Sequence, residues 1–488
     1  MSEKSEIASF PQLSIKKIFG LSSIYGITPI LDRALSLLLL PIFTHYLSTD
    51  RYGSLVLLYA SANLVQLFIF MGFSGTLQKL YWDYSGKQRK ECLGTAWITT
   101  LGLNLLAGIP LVVFSNNIAV SFFHNRSVAI LFVLIIARIS LSTQSIIPIV
   151  VLRSNEKKFH LLFANLLSIS VRVGLTILFL TYLKLDLIGV LLADICSNIA
   201  TLLIYVPVLL RQIIIKFEWG YLREILMISP YQFIVEVLAW IIDLSDRLLI
   251  QYILKESSEV AVYAVGYTFG SAILFLVNPI LIAWRPYIYS VYTSSQENYA
   301  KQMGQFLFYF IIICSGSFVI ISALSNEFIR ILTPSVYHRA TSLVTIVLIA
   351  HVMATISNYF LSTFFIVKKM QMVAVVYMIS AITNVGFNLV LIPKMGIIAA
   401  AVATLISYGI MAGMIYIKSQ RLMALSVNVR PIFLTVIVAA SVWFLLMQID
   451  IDSAWVSLVV KMVILFFVLS VAALWIYKQR QVSVKMQL

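Results

Sequence analysis

Ionisable and polar side chains recur inside apolar stretches of this sequence, where their spacing groups them by helix face. In the run from Pro230 to Leu254, Gln232, Glu236, Asp243, Arg247 and Gln251 fall within about 100° of arc on a helical wheel. Asp246 adds a further acid to the same segment. Each ionisable group at the centre of a bilayer costs about 2.5–3.5 kcal/mol, so a spanning helix with four of them requires partners or water on that face. The chemistry expected is therefore that of a hydrated cavity inside a helical bundle. Asp243 and Arg247 stand at i and i+4 with the acid first, the favourable order for an ion pair. Other apolar runs carry Asp32 and Arg33, Arg138, Arg172, and Asp194. Polar faces free of charge follow: Tyr263, Tyr267 and Asn278; His351, Thr355, Asn358 and Ser362; Tyr377, Ser380, Asn384 and Asn388.

The elements that must position these groups are membrane helices. Hydrophobic residues make up 61% of the 488 and charged residues 11%, with a mean hydropathy of +0.97. These values lie outside the range of soluble domains. The apolar segments are continuous runs instead of ten-residue alternating strands, which excludes a barrel. At about 20 residues per span, the chain reads as an all-α polytopic membrane protein with about 14 transmembrane helices. Of the 35 Lys and Arg, 23 fall on the side of the N-terminus, 7 on the other side and 5 inside spans. That asymmetry places both termini in the cytoplasm and absorbs the net charge of +15 into topology, so no basic patch calls for nucleic acid. Lys461, in the last span, is expected to pair locally or to snorkel. The stretch from Ser325 to Ala340 reads as the longest outward loop. The first apolar run lacks a small-residue cleavage site and is expected to be retained as a helix.

Markers recur in order at nearly constant offset: Asp32-Arg33 with Asp246-Arg247, Lys157-Lys158 with Lys368-Lys369, and Arg172-Val173-Gly174 with Asn384-Val385-Gly386. They predict two six-helix lobes related by a pseudo-twofold axis along the membrane normal, a geometry suited to rocking motions about a site between the lobes. The expected division is a cytoplasmic segment 1–18, an N-lobe 19–211, a linker 212–227, a C-lobe 228–418, a helix pair 431–477 and a cytoplasmic tail 478–488. Cys92, Cys196 and Cys314 define no disulfide framework. His45, His124, His160, His338 and His351 are scattered, and no phosphate-binding Gly-rich loop, paired-Cys motif or HExxH segment is present. The turns are too short for the catalytic loops of a membrane glycosyltransferase or polymerase. The expectation is a transporter with no catalytic residue, cofactor or metal site.

Three stretches carry a family resemblance: LDRALSLLLLPIFTHYLSTDRYGSLVLLYASANLVQLFIFMGFSGTLQKLYWDY, LSDRLLIQYILKESSEVAVYAVGYTFGSAI and NVGFNLVLIPKMGIIAAAVATLISYGIMAGMIY. They resemble the polysaccharide transporter family, the Wzx-type flippases of O-antigen, capsule and exopolysaccharide pathways, and more distantly lipid II flippases and MATE antiporters. The resemblance implies transfer of an undecaprenyl-diphosphate-linked oligosaccharide from the inner to the outer leaflet of the cell membrane, with polymerase and chain-length proteins of the same pathway as candidate partners. Arginine suits the diphosphate because its planar fork stays protonated and binds phosphate oxygens in pairs. On that reading Arg33, Arg138, Arg172 and Arg247 form the host, and Tyr267, Asn384 and Asn388 meet sugar hydroxyls. Asp194, Glu236, Asp243 and Asp246 are the candidates for H+ or Na+ coupling. The alternative is a MATE-like cation-coupled drug antiporter, which would need an acid-dominated cavity without inward arginines.

Overall fold

The computed structural model describes residues 31, 34–117, 120, 129–294, 296–425, 427, 429–449 and 451–485. Among these residues the regular structure is entirely helical. A backbone inside hydrocarbon must satisfy its own hydrogen bonds, and an apolar run can do so only as a helix. Among the described residues eleven helices are long and apolar enough to cross a membrane, twelve if one bent pair counts as a span. Two shorter apolar helices, Ala34–Tyr46 (α1) and Ala454–Val468, stand where the first and last spans were expected. Asp32 and Arg33 lie outside the described residues.

The first bundle comprises α2 (Thr49–Phe70), α3 (Phe73–Asp83), α4 (Gly86–Val113), α5 (Ala129–Thr143), α6 (Ile146–Ser154), α7 (Lys158–Ile177) and α8 (Asp186–Gln212). Then come α9 (Trp219–Leu254), α10 (Ser257–Gly270), α11 (Ile273–Ser294), α12 (Gln296–Leu332), α13 (Thr341–Ile366), α14 (Met370–Met395) and α15 (Ile397–Leu422). The chain ends with α16 (Val429–Met447) and α17 (Ala454–Lys485). Packing repeats between the two series. The helix α8 packs on α5 and α7 as α15 packs on α13 and α14, and α2 meets α5 as α10 meets α13. The breaks repeat too: α2 and α3 part at Met71 and Gly72, α10 and α11 at Ser271 and Ala272. Met71 and Gly72 both take the left-handed conformation, which is cheap for glycine only.

Two boundaries differ from expectation. Glu327 and Arg330 do not start a loop: α12 continues to Leu332, and the connection to α13 is a short 3-10 turn, Ser335–Ala340. Likewise α9 begins at Trp219, so only Ile213–Glu218 separates the two series. That segment is tied to α4, with Ile214 N–H donating to the Lys90 carbonyl at 3.0 Å and the Thr95 hydroxyl to the Lys216 carbonyl at 3.2 Å. The two series also touch directly. A Cβ on Gly53 would stand 1.8 Å from the Ser257 carbonyl oxygen, so α2 and α10 cross at backbone contact. One hydrophobic core runs through this crossing, including Leu39, Leu55, Leu191, Val262, Leu343 and Ala400.

Candidate functional site

Two clusters of charged and polar side chains are built in equivalent places of the two helical series. The first draws one residue from each of four helices: Tyr59 from α2, Arg138 from α5, Arg172 from α7 and Asp194 from α8. Arg138 Nε lies 3.1 Å from Asp194 Oδ2 and Arg172 Nε 2.5 Å from Asp194 Oδ1. The Tyr59 hydroxyl donates to Asp194 Oδ2 at 2.8 Å and accepts from Arg172 Nη2 at 3.2 Å. Its ring also lies under both guanidinium groups, 5.2 Å from Arg138 and 5.8 Å from Arg172, within cation–π range. Asp194 is sealed at 2% exposure, whereas the arginines retain 19% and 22%. Among the described residues two guanidinium groups thus share one carboxylate, the formal charge is +1, and the arginines are the more exposed members. Two residues from the sequence-based host, Arg138 and Arg172, are brought together here with the coupling candidate Asp194. Tyr59 was missed, because a tyrosine in an apolar span carries no signal of its own.

The second cluster is centred on α9. Asp246 is fully buried and accepts hydrogen bonds at Oδ2 from the Tyr263 hydroxyl and, at 3.1 Å, from Thr404 Oγ1. Asn384 Nδ2 reaches Thr404 Oγ1 at 3.5 Å, and Asn388 Nδ2 donates to Asn384 Oδ1 at 3.0 Å. Two buried acceptors in this network, Asp246 Oδ1 and Asn388 Oδ1, have no hydrogen-bond partner among the described residues. Asp243 Oδ1 accepts from Tyr267 at 2.9 Å and from Tyr408. With its carboxylate so engaged, the expected Asp243–Arg247 ion pair does not form. Arg247 Nη1 donates instead to the Asp243 backbone carbonyl at 2.5 Å, and its guanidinium lies 4.2 Å from the centre of the Tyr267 ring.

Asn384 and Asn388, expected to face sugar hydroxyls, are completely buried and belong to this network. Glu236 is only partly buried and accepts from Gln232 Nε2 at 3.0 Å, apart from both clusters. Helix α9 also meets α2 directly: the Trp240 indole N–H donates to the carbonyl of Ala60 at 3.3 Å, one residue from Tyr59.

A third charged group lies elsewhere. Lys461 neither pairs within its own helix nor snorkels: its ammonium is 2.6 Å from Glu327 Oε1 and 3.3 Å from the Ala323 carbonyl on α12. Both side chains are buried, at 3% and 2% exposure. Ser457 adds a hydrogen bond to Glu327 Oε1 at 2.8 Å. Among the described residues no group of three His, Cys, Asp or Glu side chains could hold a metal ion.

Comparison with known proteins follows the same lines. A family model described as "Polysaccharide biosynthesis protein" matches residues 15–292, more than half of the chain. No curated protein sequence matches it. Among solved structures, the lipid II flippase MurJ in an inward closed conformation superposes with a TM-score of 0.74 at 15% identity, over 94% of this chain and 99% of that one. The Vibrio cholerae MATE transporter VcmN, in a mutant form, gives 0.62 at 12% identity, over 83% and 96%. A MOP superfamily transporter from Pyrococcus furiosus gives 0.58 at 13%, over 84% and 96%. At these identities the likeness is one of fold.

Proposed function

The chain belongs to the polysaccharide biosynthesis protein family, and from that premise we propose that it is a flippase that carries an undecaprenyl-diphosphate-linked oligosaccharide from the inner to the outer leaflet. The observation that carries this reading is the Arg138–Arg172–Asp194–Tyr59 cluster: a membrane-embedded site with one formal positive charge and its guanidinium groups on the accessible side. A diphosphate is the part of such a substrate least able to cross hydrocarbon, and paired guanidinium groups match its oxygens. The isoprenoid can stay among the lipids while the head passes between the lobes. On this reading residues 19–211 and 228–418 are the lobes that rock about this site, both termini are cytoplasmic, and Arg33 and Arg247 are further members of the host. Polymerase and chain-length proteins of the same pathway would receive the product.

The second cluster supports coupling to a cation. An amide oxygen and a carboxylate oxygen buried without donors are under-satisfied, and each such group costs about 1–3 kcal/mol. A proton or a sodium ion taken up at Asp246 Oδ1 would relieve that oxygen, with Thr404, Asn384 and Asn388 completing the polar network around the carboxylate.

The test is charge neutralisation. Arg138→Gln and Arg172→Gln should each lower surface glycan by at least about tenfold, the effect of losing roughly 1.4 kcal/mol of binding, while membrane levels of the protein are maintained. Full surface glycan in both variants would refute the anion host.

A further inference from the structure

We propose that Asp194 is a resident counter-ion: it occupies the anion host of the empty carrier and is displaced from the arginines by the diphosphate of the substrate. This inference rests on the reading of Arg138 and Arg172 as that host. Each carboxylate oxygen is ion-paired with a different guanidinium group, Oδ2 with Arg138 Nε at 3.1 Å and Oδ1 with Arg172 Nε at 2.5 Å. A pair serving stability alone would be expected to balance its charges and close over them. Among the described residues the stoichiometry here is two cations to one anion, and the anion is the buried partner. Arg138 Nη1 is buried with no hydrogen-bond partner among the described residues, so the host retains donor capacity that the carboxylate does not fill.

The neighbours of Asp194 fit displacement as well. The Tyr59 hydroxyl already donates to Oδ2 at 2.8 Å and can keep the carboxylate hydrogen-bonded when the guanidinium groups turn to another anion. The ring of Tyr59 also lies within cation–π range of both arginines, a contact that does not depend on the carboxylate. Exchange also answers a physical demand on a flippase that must return empty. Two guanidinium groups without a counter-ion in a water-poor site would oppose closure of that site. With Asp194 in place the empty host carries one formal charge instead of two. Substrate then enters against a weaker, tethered competitor and leaves when that competitor rebinds.

Inorganic pyrophosphate is the probe, titrated calorimetrically into full-length protein in detergent. Asp194→Asn keeps the shape of the side chain and removes the competing charge. Its dissociation constant for pyrophosphate should fall at least about tenfold below that of the wild type, as expected for deletion of a like charge within a few ångströms. Arg138→Gln should abolish binding. If Arg138→Gln weakens binding but Asp194→Asn does not tighten it, the carboxylate is structural and the counter-ion inference falls while the host stands. If Arg138→Gln binds as the wild type does, the host reading falls and the inference with it. Should Asp194→Asn fail to fold, infrared difference spectra of the wild type carrying 13C-labelled aspartate decide the matter. Pyrophosphate should shift an aspartate carboxylate band; a spectrum without an aspartate signal overturns the proposal.

Discussion

Tyr59 is the side chain that joins the members of the arginine cluster to one another. Its hydroxyl bridges Asp194 and Arg172, and its ring lies beneath Arg138. Tyr59→Phe keeps the ring and removes the bridge, taking from Asp194 Oδ2 one charge-assisted hydrogen bond while its contact with Arg138 Nε remains. The expected loss is about 1–3 kcal/mol, read as a lower thermal unfolding midpoint in detergent, with the protein still inserted. Arg172→Lys is expected to reduce surface glycan nearly as far as Arg172→Gln does, because an ammonium cannot bond Tyr59 and an anion through one planar fork. Comparing the two substitutions in the same glycan assay checks this. Arg138, Arg172 and Asp194 were legible in the sequence because a charge in an apolar run has few explanations. Their partners were not: which carboxylate a guanidinium group meets depends on helix packing, and the i,i+4 spacing of Asp243 and Arg247 was overridden once two tyrosines from other helices took the carboxylate.

At the scale of the helix, the last two helices show how a buried charge can fix an element that has little else to hold it. The outward face of α16 is apolar and exposed, and both α16 and α17 pack chiefly on α12. Their attachment is a small hydrophobic cluster around Val319, Ala323, Leu446, Leu458 and Leu465, the hydrogen bond from the Trp443 indole to Ser322 at 2.9 Å, and the Lys461–Glu327 pair. Removing one partner of a buried pair costs about 3–5 kcal/mol, because the other is left uncompensated. Lys461→Met or Glu327→Lys should therefore lower the unfolding midpoint and the amount of protein accumulated in the membrane, and the exchange Glu327→Lys with Lys461→Glu should restore much of both. Immunoblots of membrane fractions and thermal unfolding measure it. A second prediction concerns the crossing of α2 and α10. Gly53→Val would force a side chain into the Ser257 backbone, separating the two series where they touch, and should reduce surface glycan at near-normal membrane levels. Lys461 was visible in the sequence as an outlier, but Glu327 was read as loop because polar residues and Pro334 follow it closely. Helix α12 extends past that point because Glu327 is satisfied by a neighbouring helix.

Across the whole molecule, the two series place their polar residues in register yet give them opposite charge. Tyr59 and Tyr267 are each the eleventh residue of their helices, and Arg172 and Asn384 each the fifteenth. The sequence markers caught the second of these correspondences, since both residues precede Val-Gly; the first has no flanking motif and emerges only when helix starts are known. Where the first series has two arginines on one acid, the second has Asp243 and Asp246 with Arg247, a formal charge of −1. The proposed anion host in one half and the proposed cation site in the other would give a carrier two ligands of opposite sign. Binding of one ligand can bias the other only if both sites respond to the same rocking motion, and such linkage is reciprocal. The two sites can be separated by stability measurements. In purified wild-type protein, replacing choline by sodium at constant ionic strength should raise the unfolding midpoint if the ion is sodium, and mild acidification should raise it if the ion is a proton, since a ligand that the folded state binds more tightly than the unfolded one stabilises it by mass action. Asp246→Asn should remove whichever response is seen, and Asn388→Ala should weaken it. Arg138→Gln should leave that response intact while abolishing stabilisation by pyrophosphate, because the two ligands meet different residues on different helices. A wild-type midpoint indifferent to both sodium and acid would remove the cation from the transport cycle, leaving the substrate gradient or the membrane potential to drive it.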